Sequence, residues 1–289
     1  MLLSVFGLAL LSNAKVALQS HAGKHSLHPS ADALAFNFLM FSVSALAAGG
    51  IMIYEKSPLS PVTVAYGAAF GLLSILFQTL YIHAFRTGPF TLTTMIVSFS
   101  SIIPVCISIM ILQEPLTWQK VLGLVLTFSA MVILTYQKDA ASGTINKPWL
   151  WTVLGCFFCS GITSSLQKFH QHAGYTPERS GFVLIAYLTA ASITATLFLR
   201  QRRQLAGTWH WRPVIALPAV TAGLLLGIYQ KLSMYVVSVT EAVFFYPAQQ
   251  CSAAIVSVLC GVLIFRDKLS RKQLLGLAMG LFAMLLTVQ

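Results

Sequence analysis

The sequence predicts an all-α polytopic membrane protein, with ten transmembrane helices arranged as two inverted five-helix repeats. Three observations predict it. The 289 residues are 57% apolar and only 9% charged, where a soluble domain carries about 25% charged residues. Apolar runs of roughly 20 residues, enough to cross a bilayer core, recur along the whole chain. The two halves of the sequence also repeat each other at one fixed offset.

Helices are expected over residues 2–19, 32–54, 61–85, 90–112, 118–137, 148–169, 180–199, 212–236, 242–264 and 272–288. The first run, MLLSVFGLALLSNAKVALQS, has no basic start and no small-residue cleavage site before a soluble part. It therefore reads as a spanning helix and not as a signal peptide. Short polar connections separate the runs, several with Pro or Gly: KSPLSP precedes the third helix, EPLT the fifth and GYTPER the seventh. Pro104 and Pro247 fall inside the fourth and ninth runs, where a proline removes an N–H and breaks the helical ladder. A transmembrane barrel would need alternating segments of about 10 residues, and the sequence has none.

The polar piece QKDAASGTINKP, 137–148, is the midpoint. It separates a first repeat, residues 1–137, from a second, residues 148–289. EPLTWQKVLGL (114–124) aligns with DKLSRKQLLGL (267–277) at a shift of 153 residues. The same shift brings Ser12, Lys15 and Gln19 onto Ser165, Lys168 and His172. Five helices per half is an odd number, so the second half enters the membrane in the opposite sense. Inverted repeats of this kind are the layout of many secondary transporters, with the substrate site near the midplane.

The formal charge is +11, but its carriers sit in short connections between apolar runs. Membrane orientation explains them better than nucleic acid does. One set of connections holds Lys24, Arg86, Lys138, Lys147, Arg200, Arg202, Arg203, Arg212, Arg266, Lys268, Arg271 and Lys272, and the opposite set holds Lys56, Lys120 and Arg179. The positive-inside rule places the richer set in the cytoplasm and both termini outside. Cys106, Cys156, Cys159, Cys251 and Cys260 all fall within apolar runs. Cys156 and Cys159 form a CxxC without a second pair, so small packing residues are expected and no metal or other cofactor. No Walker motif is present, so ATP drive is not indicated.

The chain resembles the ten-helix, EamA-like branch of the drug/metabolite transporter superfamily. The residues that carry the resemblance are Pro104, Glu114-Pro-Leu-Thr and Gly123, then Asp267-Lys-Leu-Ser and Gly276. Ser12-Asn13 stand where the family often has Trp-Gly. Asn37-Phe38 stand where it has an arginine, and Asp267 replaces its glutamate. These departures bear on the substrate. The resemblance implies a central cavity lined by helices 1, 3, 4, 6, 8 and 9, and it implies cytoplasmic termini, opposite to the charge count. Polar residues gather on those helices: Asn13 on the first, Gln78 and Tyr81 on the third, Thr94, Ser98 and Ser101 on the fourth, Ser160 and Ser164 on the sixth.

Ser12, Lys15 and Gln19 share one helical stripe, since steps of three and four return to the same face. A lysine in hydrocarbon costs about 2.5–3.5 kcal/mol on insertion scales, so Lys15 and Lys168 should face protein or water. They are candidates to bind an anionic group. The alternative is snorkelling to headgroups. Lys231, beside Tyr229 and Gln230, is a third candidate, or else a structural partner of a carbonyl or of Glu241. Tyr246, Gln249 and Gln250 flank Pro247 and complete the candidate substrate site with Gln78, Tyr81, Ser98, Tyr229 and Gln230. His83 is the proton-coupling candidate. Gly67-x-x-x-Gly71, Gly223-x-x-x-Gly227 and Gly276-x-x-x-Gly280 allow close helix approach within the bundle, the last also offering a homodimer contact.

These readings predict a secondary transporter, not an enzyme. It would move a small anionic or zwitterionic metabolite by alternating access, with no nucleic-acid partner, in the bacterial inner membrane. An exporter of drugs or organic cations is the alternative, disfavoured because all seven acids fall at helix ends or in loops. Readings from other classes are a non-translocating receptor and a hydrolase using Ser12 or Ser165 with its lysine, although the SDN and KTG elements of such enzymes are absent.

Overall fold

The computed structural model describes residues 2–25, 30–87, 93, 96–135, 147–204, 216–265 and 271–288. They form ten helices and no strand. These are α1 (Leu2–His25), α2 (Ser30–Glu55), α3 (Pro61–Thr87), α4 (Ile102–Met110), α5 (Trp118–Thr135), α6 (Lys147–His172), α7 (Arg179–Gln204), α8 (Ala216–Val239), α9 (Ala242–Phe265) and α10 (Arg271–Val288). Five segments are long and apolar enough to cross a membrane: Asp32–Glu55, Pro61–Tyr81, Lys147–His172, Thr176–Gln201 and Ala216–Val239. Large apolar side chains lie exposed on many helices, among them Leu46, Trp118, Trp151, Leu217 and Phe282. Such a surface suits lipid, where every backbone group is satisfied inside a helix. The protein is an integral membrane protein.

The fourth helix departs from a plain rod. A 3₁₀ turn, Phe99–Ser101, leads into α4, with Pro104 in its first turn. Pro104 has no N–H for the Ser100 carbonyl, so the ladder is interrupted there. The first and seventh helices run further than their apolar stretches, to His25 and Gln204. Helical hydrogen bonding does not need lipid, so polar residues can extend the helix. Residues 137–146 of the midpoint segment, residues 90–92 and 94–95 of the fourth run, residues 212–215 and Asp267-Lys-Leu-Ser lie outside the described residues.

The chain forms two compact units, each drawn from both halves of the sequence. The first holds residues 1–10, 76–169 and 236–289. In it α9 packs against α4, α5 and α10, and α5 against α10. Trp149 is buried and donates from Nε1 to Thr93 Oγ1 at 3.1 Å. Gly280 packs on Cys251 of α9, and Gly161 on Ile103 of α4. Cys156, Cys159 and Cys251 are buried as expected of packing residues, but Cys106 is exposed. The Cys260 side chain lies outside the described set.

The second unit holds residues 11–75 and 170–235. Its core joins α2, α3, α7 and α8 through Phe36, Met40, Phe70, Phe182, Ala186 and Ala222. Small residues set the spacing. A Cβ on Gly71 would meet the Ala186 carbonyl oxygen at 2.2 Å, and one on Gly223 the Met40 carbonyl oxygen at 2.6 Å. The Ser44 hydroxyl bridges the same contact, donating to the Gly223 carbonyl at 2.7 Å. Two of the glycine pairs thus serve packing inside the bundle.

Candidate functional site

In the first unit the polar chemistry centres on Glu114. After α4, Gln113 takes a left-handed conformation (φ 54°), which turns the chain so that Glu114 N–H reaches the Ser108 carbonyl at 3.2 Å. The Glu114 carboxylate then points at the start of α9. Its Oε2 accepts the N–H groups of Ala242 (2.8 Å) and Val243 (3.3 Å), and its Oε1 lies 2.8 Å from Lys168 Nζ on α6. First-turn N–H groups have no helical acceptor, and the positive end of a helix favours an anion. Lys168 also donates to the Thr240 carbonyl at 2.8 Å. Both charged side chains are about 10% exposed. Beside them Lys120 pairs with Glu241 and donates to the Pro115 carbonyl, while the Tyr246 hydroxyl donates to the Ser164 carbonyl at 2.6 Å. The Glu-Pro-Leu-Thr motif is therefore a junction tying α5, α6 and the start of α9 together.

This geometry removes the Ser165–Lys168 dyad. The Ser165 hydroxyl donates to the Gly161 carbonyl at 2.8 Å. A lysine held as a cation by a carboxylate and a carbonyl has no lone pair to act as a base.

In the second unit Lys231 pairs with Glu55 and not with Glu241, and Ser180 donates to the same carboxylate at 2.7 Å. A second cluster, which sequence reading missed, surrounds His170. The ring is fully buried; Nε2 lies 2.8 Å from Thr63 Oγ1 and Nδ1 lies 2.8 Å from Gln171 Nε2. Glu178, also buried, accepts from the Ser60 N–H at 2.9 Å, from the Ser60 hydroxyl at 2.7 Å and from the Thr63 hydroxyl. Glu178 lies in a connection, where an acid reads as solvated. The signal available in the sequence was Pro177, which with Thr176 starts a 3₁₀ turn that folds Glu178 inward.

The remaining candidates are distributed over both units. Gln78, Ser98, Gln249 and Gln250 are partly buried in the first unit, and Tyr81 there stacks on Phe77 with ring centres 5.1 Å apart. His83 is exposed. Lys15 and Tyr229 are partly buried in the second unit. No ion pair reaches Lys15 among the described residues. Gln230 is 5% exposed, and its Nε2 has no acceptor among the described residues. The Gln19 side chain and Thr94 lie outside that set.

Residues 3–136 match the model of the EamA-like transporter family, from α1 through α5. The segment from α1 through α5 is therefore EamA-like. That match indicates a membrane transporter of the drug/metabolite superfamily. A solved crystal structure of a protein is similar to the transporter over 99% of this chain and 97% of its own length, with a TM-score of 0.77 at 16% identity. That likeness establishes the fold. No curated protein matches the sequence.

Proposed function

We propose that this EamA-like transporter moves a small anionic or zwitterionic metabolite by alternating access of its two five-helix repeats, residues 1–137 and 148–289, in the bacterial inner membrane. The observation that carries the substrate class is the buried Gln230 Nε2, which has no acceptor among the described residues. An unsatisfied buried donor costs about 1–3 kcal/mol, a cost that an acceptor-bearing solute removes on binding. Lys15 supports the same reading. Of the three candidate lysines, Lys168 and Lys231 already hold carboxylates. Among the described residues no ion pair reaches Lys15, so its amine is open to a ligand. A donor and a cation suit a carboxylate or phosphate and disfavour an organic cation.

Purified protein in liposomes, offered radiolabelled amino acids, carboxylates and sugar phosphates, tests the reading. One of these should accumulate. Lys15→Ala and Gln230→Leu should each lower its affinity about tenfold or more, the loss of one charged or buried hydrogen bond. Uptake of labelled organic cations alone would refute the anion reading.

A further inference from the structure

The end of α2, the start of α7 and the last third of α8 bring an unequal set of charges to one end of the second unit. Among the described residues Lys56, Arg179 and Lys231 are the cations there, and Glu55 and Glu178 are the acids. Glu178 is buried and turned inward onto Ser60 and Thr63. Lys56 and Glu55 lie exposed where α2 ends, so three cations accompany one exposed carboxylate. Lys231 pairs with that carboxylate. Arg179 lies over the Tyr235 ring, 5.1 Å from its centre, and its Nε donates to Gln171. The Gln171 amide is neutral, so this bond removes none of the guanidinium charge.

An ammonium has three donors. Glu55 takes one from Lys231, and no other described residue takes a second. The lysine also stands at the edge of lipid. Leu224, Ile228, Leu232 and Tyr235 are all exposed on α8, and steps of three and four place them on one stripe. Lys231 lies three residues from Ile228 and four from Tyr235, so it belongs to that stripe. Tyr235 and Tyr54 are both exposed, and tyrosines gather where the bilayer meets water. A cation at that depth meets phosphate headgroups. We propose that Lys231 and Arg179, with Tyr235, form a binding site for the headgroup of an anionic phospholipid.

The lipid phosphate accepts from the two unused Lys231 donors, and the guanidinium adds its charge beside them. An acyl chain then lies along Leu232, Ile228 and Leu224. This apolar stripe, running on from the cations, favours an anion that carries acyl chains over a soluble phosphate. A zwitterionic headgroup brings its own cation, which the three cations oppose. Glu55 works against any anion here. Ser180 donates to it at 2.7 Å, so it stays near Lys231 and moderates the affinity of the site. Lipid binding requires no solute and no transport cycle, so the inference is independent of the function proposed above.

Photolabelling of the full chain in lipid nanodiscs tests the site. The bilayer is phosphatidylcholine with a trace of phosphatidylglycerol carrying a diazirine in one acyl chain, and labelled peptides are read by mass spectrometry. Label should fall on residues 224–235 of α8, and unlabelled phosphatidylglycerol should displace it. Lys231→Gln should lower the labelling of this segment about fivefold, the effect of one basic residue near an anionic surface. Glu55→Gln removes the opposing charge and keeps an acceptor for Ser180, so it should raise the labelling by a similar factor. Unchanged labelling in either variant overturns the proposal. Equal labelling by a diazirine phosphatidylcholine also overturns it, because the acyl chain alone would then direct binding. Displacement by inorganic phosphate would make this a site for soluble anions and would overturn the lipid assignment. If Lys231→Gln fails to fold, the rise in Glu55→Gln decides alone.

Discussion

Glu114 and Glu178 are both withdrawn from solvent, and both hold the beginning of a helix, yet they are satisfied in opposite ways. Glu114 meets a cation directly and caps α9 through two N–H groups. Glu178 meets only hydroxyls and one N–H, with a neutral imidazole one bond further on. The carboxylate beside Lys168 has its charge met by an opposite charge and ties α6 to the start of α9. A carboxylate held by neutral donors has its charge stabilised by hydrogen bonds alone. The same residue type clamps a helix start through an ion pair in the first unit and through hydrogen bonds alone in the second.

The largest effect should come from Lys168→Met. It strands Glu114 as a buried anion, and breaking one partner of a buried pair costs about 3–5 kcal/mol. Thermal unfolding followed by size-exclusion chromatography should show most of the protein lost as aggregate. Adding Glu114→Gln to Lys168→Met should recover part of the loss, because the anion is gone while the amide still accepts from α9. If the double variant is no better than the single one, Glu114 is not stabilised chiefly by charge and the contrast with Glu178 collapses.

A middle effect is expected at Thr63→Val. The variant keeps the shape of the side chain but removes the hydroxyl that bridges His170 and Glu178. Leaving buried polar partners unsatisfied costs about 1–3 kcal/mol. Its unfolding temperature should fall less than that of Lys168→Met. A larger fall would mean that the neutral network, and not the ion pair, is the stronger tie.

Much of the architecture was legible because hydrocarbon dictates it. A run such as that of α8 must be helical in lipid, and each expected helix lies close to an observed one. Where polar residues extend a helix, as at Ser20–His25, hydropathy gives no sign of it. The paired motif marked Glu114 as part of the repeat, but spacing could not show that its carboxylate reaches the backbone of Ala242 and Val243. His170 was overlooked because it resembles any histidine near a helix end, as His83 does. Burial separates them: one is enclosed, the other exposed. The partner of Lys231 was equally hidden, since Glu55 is 176 residues away in sequence and only the fold brings it near.

The smallest effects should follow solvent exposure among the remaining pairs. The Lys120 side chain is 9% exposed and its partner Glu241 40%, whereas Lys231 and Glu55 are 27% and 42% exposed. An exposed ion pair is worth about 0–1 kcal/mol, because solvent screens it and each side chain loses freedom in forming it. Lys231→Met should therefore shift the unfolding midpoint least, and Lys120→Met should fall between it and Lys168→Met. Raising the salt concentration should narrow the gap between native protein and Lys231→Met while leaving Lys168→Met as damaged as before. If Lys231→Met instead abolishes transport at unchanged stability, its charge acts on the solute, and the pairing with Glu55 is a resting state that the solute displaces.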